Sequence, residues 1–290
     1  MTSTRNKIDF ITGLATFIFA ISFFGVGRAA NAAPQGNIPS CYAANNIEIK
    51  PTAPLHDVTV LIDKTTLLDE QLKQSVMHNV GDLLGAGSSF SIIRFSAYAQ
   101  GRYTSVLARG ILESPLSNKV RDSLGSNVLK RFDACMGGQL GYGRRLAAEA
   151  VGTALADASG NLVKSNIYAS LREASAVTRE APSKDRIVVL VSDMLENSTI
   201  SSFYAKKAVR SIDVPTELSK VEKAGLYADF GRARVYVIGA GLVSPDTESK
   251  NVVRDPIGMQ RLEDFWSAYL SKSNAKLMEF GKPALLNPIK

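Results

Sequence analysis

Three short stretches place carboxylates beside hydroxyls. Asp63-Lys64-Thr65-Thr66 closes the apolar run VTVLI, Ser165-Asn166 opens a helical pattern, and Ser192-Asp193 closes RIVVLV. A buried strand has no use for an acidic, hydroxyl-bearing tail. A hard divalent cation does, because Mg²⁺ takes oxygen ligands and keeps some of its waters. Asp63, Thr65, Ser165 and Asp193 are therefore the candidate metal ligands, with a partner's carboxylate able to complete the shell. Lys64, adjacent in sequence, could supply positive charge itself and lessen the need for a cation. Each residue also has a plainer role. An aspartate at a strand end can hold a loop or cap a helix, and Thr65 and Ser165 suit caps and turns.

The elements that would position these residues can be read from periodicity. Residues 58–63 read as a fully buried strand, and 67–84 as a helix with Leu68, Leu72, Val76, Val80 and Leu83 on one face. Strands are expected at 89–96, at 103–109 near an edge, at 186–192 and at 234–238. Helices are expected at 165–179, 199–210 and 257–279, with "PALL" as a last strand. Two helical stretches, 117–134 and 144–158, flank "GGQLGYG" at 137–143, whose glycines predict a flexible turn. This alternation predicts an α/β fold: a doubly wound, mostly parallel sheet with helices on both faces. In such sheets ligands bind at the carboxyl ends of the strands, where Asp63 and Asp193 both fall.

The order of these pieces resembles the von Willebrand factor A family. Its metal-ion-dependent adhesion site combines Asp-x-Ser-x-Ser after the first strand, a threonine in a middle loop and an aspartate after the fourth strand. Asp63 and Thr65 match the first two motif positions. Leu67 occupies the third and cannot ligate, and Thr66 lies one residue early. Ser165 in "SNIYASL" matches the middle-loop hydroxyl, and Asp193 in "VVLVSDMLEN" the last aspartate. "RLEDFWSAYL" and "EFGKPALL" fit the closing helix and strand. The resemblance covers roughly residues 57–286 of a domain expected at 57–290, with an enlarged helical middle at about 110–163. It implies a protein-binding module of adhesion or scaffold type, Mg²⁺ as the cofactor and another protein as the partner.

Other chemistries find little support. The haloacid dehalogenase superfamily also starts from a strand and an aspartate, but needs a second acid where this chain has Thr65, so Asp63 would lack its general acid. That leaves an Mg²⁺-dependent phosphohydrolase as the alternative reading, and an envelope scaffold with a decayed metal site as another. No Gly-x-Ser-x-Gly elbow is present. Two histidines, His56 and His78, give a triad or zinc cluster little to draw on and read as surface or packing residues. "GAGLVS" at 239–244 lacks the third glycine of a dinucleotide loop. Phe265, Trp266 and Tyr269 read as core.

At 290 residues the chain can bury a sizeable core, and its 45% hydrophobic and 21% charged residues are ordinary globular composition. The net charge of +7 comes from scattered basic residues without interleaved aromatics, which argues against a nucleic-acid surface. Residues 1–33 read as a targeting segment. A short basic start precedes the uncharged stretch 10–27, and Ala30-Asn31-Ala32 suits signal peptidase. The expectation is export with cleavage near Ala32. The alternative is an uncleaved anchor, the one route by which the chain would touch a membrane. Either way the rest lies outside the cytoplasm, periplasmic or secreted. Residues 34–56 read as an irregular leader. An exported chain either pairs Cys41 with Cys135 or buries both as free thiols, and the pair is expected.

Overall fold

The sheet is built outward from one strand that water does not reach. His56–Asp63 forms β1, buried from Asp57 to Asp63, as its nearly continuous apolar sequence requires. The structure, a computed structural model, describes residues 38–99, 102–159, 165–205, 208–242 and 255–290. The expected targeting segment and the end of "GAGLVS" lie outside the described residues.

β1 pairs in parallel with β2 (Ser88–Ala99) on one side and β4 (Asp185–Val191) on the other. β4 continues in parallel to β7 (Ala233–Ile238) and then β8 (Ala275–Phe280). β3 (Arg102–Ile111) closes the other edge, antiparallel to β2. The order β3-β2-β1-β4-β7-β8 places β1 and β4 side by side at the centre. The expected α/β architecture is thus the observed one. Its strand order has the reversal beside the first strand at which doubly wound sheets form their binding crevice.

Helices cover both faces. α2 (Glu70–Leu83) and α4 (Ser126–Ala156) pack their Leu72, Val76, Val80, Ala147 and Val151 against Val58, Val60, Ile62 and Val189. α5 (Ile167–Arg179), α6 (Val214–Lys223) and α7 (Pro256–Lys272) cover the other face, around Leu61, Leu190 and Val237. Their starts follow capping chemistry. Asp69, Asn166, Asp213 and Asp255 each accept a backbone N–H from the first turn of the helix they precede.

Three expectations need correction. The glycines of 137–143 do not form a turn: after the one-turn helix α3 (Asn118–Arg121), α4 runs unbroken from Ser126 to Ala156. Packing outweighs propensity there. Gln139, Gly143 and Ala147 are buried, and a Cβ at Gly143 would collide with Leu112. Gly137, Gly138 and Gly141 face open space and simply cost helix propensity, about 1 kcal/mol each relative to alanine. The expected helix at 199–210 is instead a minimal hairpin, β5 (Tyr204–Ala205) with β6 (Ala208–Val209). Ser198 and Ser202 hydroxyls accept from Ile200 N and Tyr204 N, local bonds that compete with helix. Arg210 then clasps Ser202 O and the Glu217 carboxylate. Finally, α7 stops at Lys272, and the last strand is 275–280 rather than "PALL". α6 is an element beyond those expected, and it begins on a helix-start signature, Asp213 followed by Pro215.

The leader is tied down. Ser40 caps α1 (Cys41–Ala44), and Cys41 is disulfide-bonded to Cys135 of α4, 94 residues away. Tyr42, Ile47, Leu116 and Phe132 form a small apolar cluster around that bridge.

Candidate functional site

Four loops meet at the carboxyl edge of β1 and β4. Asp63 is the last residue of β1 and is 1% exposed. Its Oδ1 accepts from Thr65 N at 2.9 Å and from Thr65 Oγ1 at 2.6 Å. Its Oδ2 accepts from Ser165 Oγ at 3.1 Å and from Ser192 Oγ at 2.9 Å. One carboxylate thus gathers hydroxyls from its own turn, from the loop before α5 and from the end of β4.

Asp193 lies across the same junction, 3% exposed. Its backbone N–H donates to Thr66 Oγ1 at 2.9 Å, which fastens the loop after β4 to the loop after β1. Its Oδ1 accepts from Leu195 N at 2.8 Å, and its Oδ2 from the Tyr204 hydroxyl at 2.6 Å. The loop is braced from behind: Trp266 Nε1 donates to Met194 O at 2.8 Å, and Gly241 N donates to Asp193 O at 2.8 Å. Met194 itself has a φ of 60°, in the left-handed region that non-glycine residues rarely adopt.

All four sequence-derived candidates, Asp63, Thr65, Ser165 and Asp193, therefore lie at one rim, three of them joined directly by hydrogen bonds on Asp63. Leu67, at the third motif position, is 45% exposed and offers no donor or acceptor. Thr66 is buried and occupied with Asp193 N. Lys64 is half-buried, and among the described residues no ion pair joins it to either aspartate. His56 Nε2 hydrogen-bonds Leu83 O at 2.8 Å, and His78 lies on the surface with Asp82, so neither approaches the site.

Sequence reading missed two participants. Glu196 is fully buried and receives Tyr168 N at 3.1 Å, so it sits at the start of α5, while its Oε1 has no hydrogen-bond partner among the described residues. Tyr204 falls within 199–210, where the sequence pattern predicts a helix. The only signal for either was proximity in sequence to Asp193, which says nothing about direction.

The electrostatics follow from burial. Desolvation pushes the Asp63 carboxyl upward, against the hydroxyls of Thr65, Ser192 and Ser165. Burial and then the charge of Asp63 push Asp193 up to about 8. Burial likewise raises Glu196 to about 8, with Asp63 adding a smaller push. The Tyr204 phenol is held above its ordinary value by burial and by Asp193. Buried acids of like charge resist simultaneous ionisation. They hold a proton between them or accept a positive charge, and the oxygen-only donor set is of the kind Mg²⁺ takes.

No protein-family model matches the sequence, and no curated protein matches it. Solved structures similar to it include an aerotolerance-related membrane protein from Bacteroides fragilis, crystallised with multiple mutations to serine. It is 14% identical, with 78% of this chain and 92% of that one covered and a TM-score of 0.34. The PilB minor pilin from Streptococcus sanguinis is 14% identical over 80% of this chain and 58% of its own, with a TM-score of 0.37. The TFIIH p34 N-terminal domain is 10% identical over 79% and 93%, with a TM-score of 0.32. Likenesses this distant say nothing about activity or partner.

Proposed function

We propose that the chain is an exported protein-recognition module with a von Willebrand A-like fold, and not an enzyme. The observation that carries this reading is the convergence of separate loops on Asp63 at the carboxyl edge of a sheet ordered β3-β2-β1-β4-β7-β8. Asp63, Thr65, Ser165 and Asp193 would hold Mg²⁺ there. A bound ion supplies positive charge at the rim, to which a partner's carboxylate can attach. The chain's own residues fix the loops. Thr66 ties the two aspartate-bearing turns together, and Leu67 offers an exposed apolar contact beside them. Thr65 stands where a phosphoryl-transfer aspartate would need its second acid, which disfavours the phosphohydrolase. The disulfide supports export, since such bonds persist in oxidising compartments. Whether the targeting segment is cleaved or anchors the chain does not alter the reading.

One observation favours a second reading, a scaffold that needs no metal. Each oxygen of both aspartates already receives a protein donor, including the Tyr204 hydroxyl on Asp193 Oδ2. Calorimetry and thermal unfolding with MgCl₂, alongside incubation with an aryl phosphate ester, separate the three. Binding heat and a melting shift that vanish in Asp63→Asn, without turnover, support the metal-assisted module. Neither shift nor turnover leaves the metal-free scaffold. Turnover lost in Asp63→Asn would establish the hydrolase and sink the proposal. Lys64→Ala with unaltered Mg²⁺ response would remove any role for that ammonium.

A further inference from the structure

α4 turns one side to the sheet and the other to water. Phe132, Gln139, Gly143, Ala147 and Val151 are buried. The outward side carries Lys130, Arg131, Arg144 and Arg145, all exposed, with the small residues Ala134, Gly138 and Gly141 between them. From Asn118 to Ala156 these four, Lys119 and Arg121 outnumber the acids Asp122, Asp133 and Glu149. Asp133 is taken up by Arg121, through two bonds of 2.7 Å. Lys119, Lys130 and Arg131 make no ion pair among the described residues. Tyr142, 38% exposed, has the Arg145 guanidinium 5.6 Å from its ring centroid. Tyrosine and a cation side by side suit the boundary between water and lipid headgroups.

The leader joins the molecule on this same flank. Arg131 and Cys135 are one turn apart on α4, and Cys135 is bridged to Cys41. Ser40 Oγ and Cys41 N donate to the Glu113 carboxylate at 2.6 and 2.7 Å, and Gln139 Nε2 donates to Pro39 O at 2.8 Å. Residues 39–41 are thus fixed against the helix. Ile38 is the first described residue, and from it to Ala33 an extended chain spans at most about 18 Å. The segment expected to carry the chain to a membrane for export is therefore joined to the basic side of α4 by a short, firmly held strap. An acidic protein would account for the charge but not for the strap. A negatively charged lipid surface accounts for both.

We propose that the outward side of α4 docks on a surface of anionic phospholipid. Lys130, Arg131 and Arg145 meet the lipid phosphates, and Tyr142 sits among the headgroups. Ser159 N donates to Lys64 O at 2.8 Å, so the C-terminal end of α4 is the one beside the Asp63 rim. Lys130 and Arg131 lie about 40 Å away along the helix. Docking there leaves the rim free for its own partner, and it stands whether or not that rim takes a metal.

The test is sedimentation of the full chain with vesicles of phosphatidylcholine, alone or with about 30% phosphatidylglycerol. The lysines of the sedimented protein are then acetylated and read by mass spectrometry. The anionic vesicles bind about a hundredfold more tightly at low salt, at roughly fivefold per basic residue near the surface. About 0.5 M NaCl removes most of that preference. Lys130 is acetylated several-fold more slowly on the anionic vesicles, whereas the exposed Lys184 and Lys276 are not. This footprint reads the docked face even where residues 1–33 enter both kinds of vesicle. The triple variant Lys130→Gln, Arg131→Gln, Arg145→Gln, confirmed folded by circular dichroism, loses about a hundredfold in the preference. Lys184→Gln, Lys223→Gln, Lys276→Gln makes the same charge change elsewhere and loses less than about fivefold. Lys130 labelled alike on both vesicles overturns the proposal. So does a preference that the two triple variants lose equally, which would mark net charge and not this face.

Discussion

Replacing Asp193 by asparagine should make the metal-free protein more stable. Asp193 is 3% exposed, and burial together with the Asp63 charge raises it from an ordinary 3.8 to about 8. In the unfolded chain the group ionises near its ordinary value, so between these values the folded state binds more protons. Stability then falls as pH rises through that window, by up to about 1.4 kcal/mol per unit. At pH 7 the accumulated cost has a ceiling of about 4 kcal/mol. Asparagine removes this cost without removing the contacts. Its oxygen can accept from Leu195 N as Oδ1 does, and its amide can donate to the Tyr204 hydroxyl, which rotates to accept. Chelator-treated Asp193→Asn should therefore be about 1–4 kcal/mol more stable at pH 7, with a flatter decline between pH 5 and 8. That is about 2–4 °C in Tm per kcal/mol for a chain of this size. If the rim takes Mg²⁺, saturating MgCl₂ closes the gap, because wild type gains about 2.7 kcal/mol at a hundredfold excess over Kd while the variant gains little. Urea or thermal unfolding at pH 5, 7 and 8 in EDTA reads all of this. The reasoning fails if Asp193→Asn is destabilised by more than about 1 kcal/mol at pH 7, or if wild type grows more stable from pH 5 to 8.

Tyr204→Phe removes the hydroxyl on Asp193 Oδ2 and should cost about 1–2 kcal/mol in EDTA, while raising apparent Mg²⁺ affinity by leaving that oxygen open. Unchanged stability in parallel melts would show the bond to be idle. Cys135→Ser should lower unfolding free energy by about 2–5 kcal/mol, because the bridge constrains a 94-residue separation in the unfolded chain. Non-reducing gels and urea titration check this together. Gly138→Ala should stabilise by about 0.5–1 kcal/mol, since nothing lies near its Cβ position. Gly143→Ala should destabilise by about 1–3 kcal/mol, because Leu112 and Ile38 crowd it. Equal effects of the two substitutions would contradict a continuous, packed α4.

The sequence alone determined the fold class and the location of the rim. β-branched runs ending in Asp63 and Ser192-Asp193, separated by 3.6-period stretches, admit few arrangements other than a parallel sheet with its loops at one edge. Periodicity is a local property, written in which residues alternate, and it survives in a single chain. The same local logic failed where packing outweighed propensity. Gly137, Gly138 and Gly141 signalled a turn, yet the buried Gln139 and Gly143 and the bridge at Cys135 hold one helix through them. Local serine bonds turned 199–210 away from helix, and this brought Tyr204 onto Asp193. Only tertiary structure decided that Glu196 is sealed beneath α5, or that Ser89 and Thr59 converge on the buried Asp57 carboxylate. Those facts depend on which side chains distant parts of the chain bring together and on how much water they exclude. Neither quantity is carried by the order of residues within any one segment.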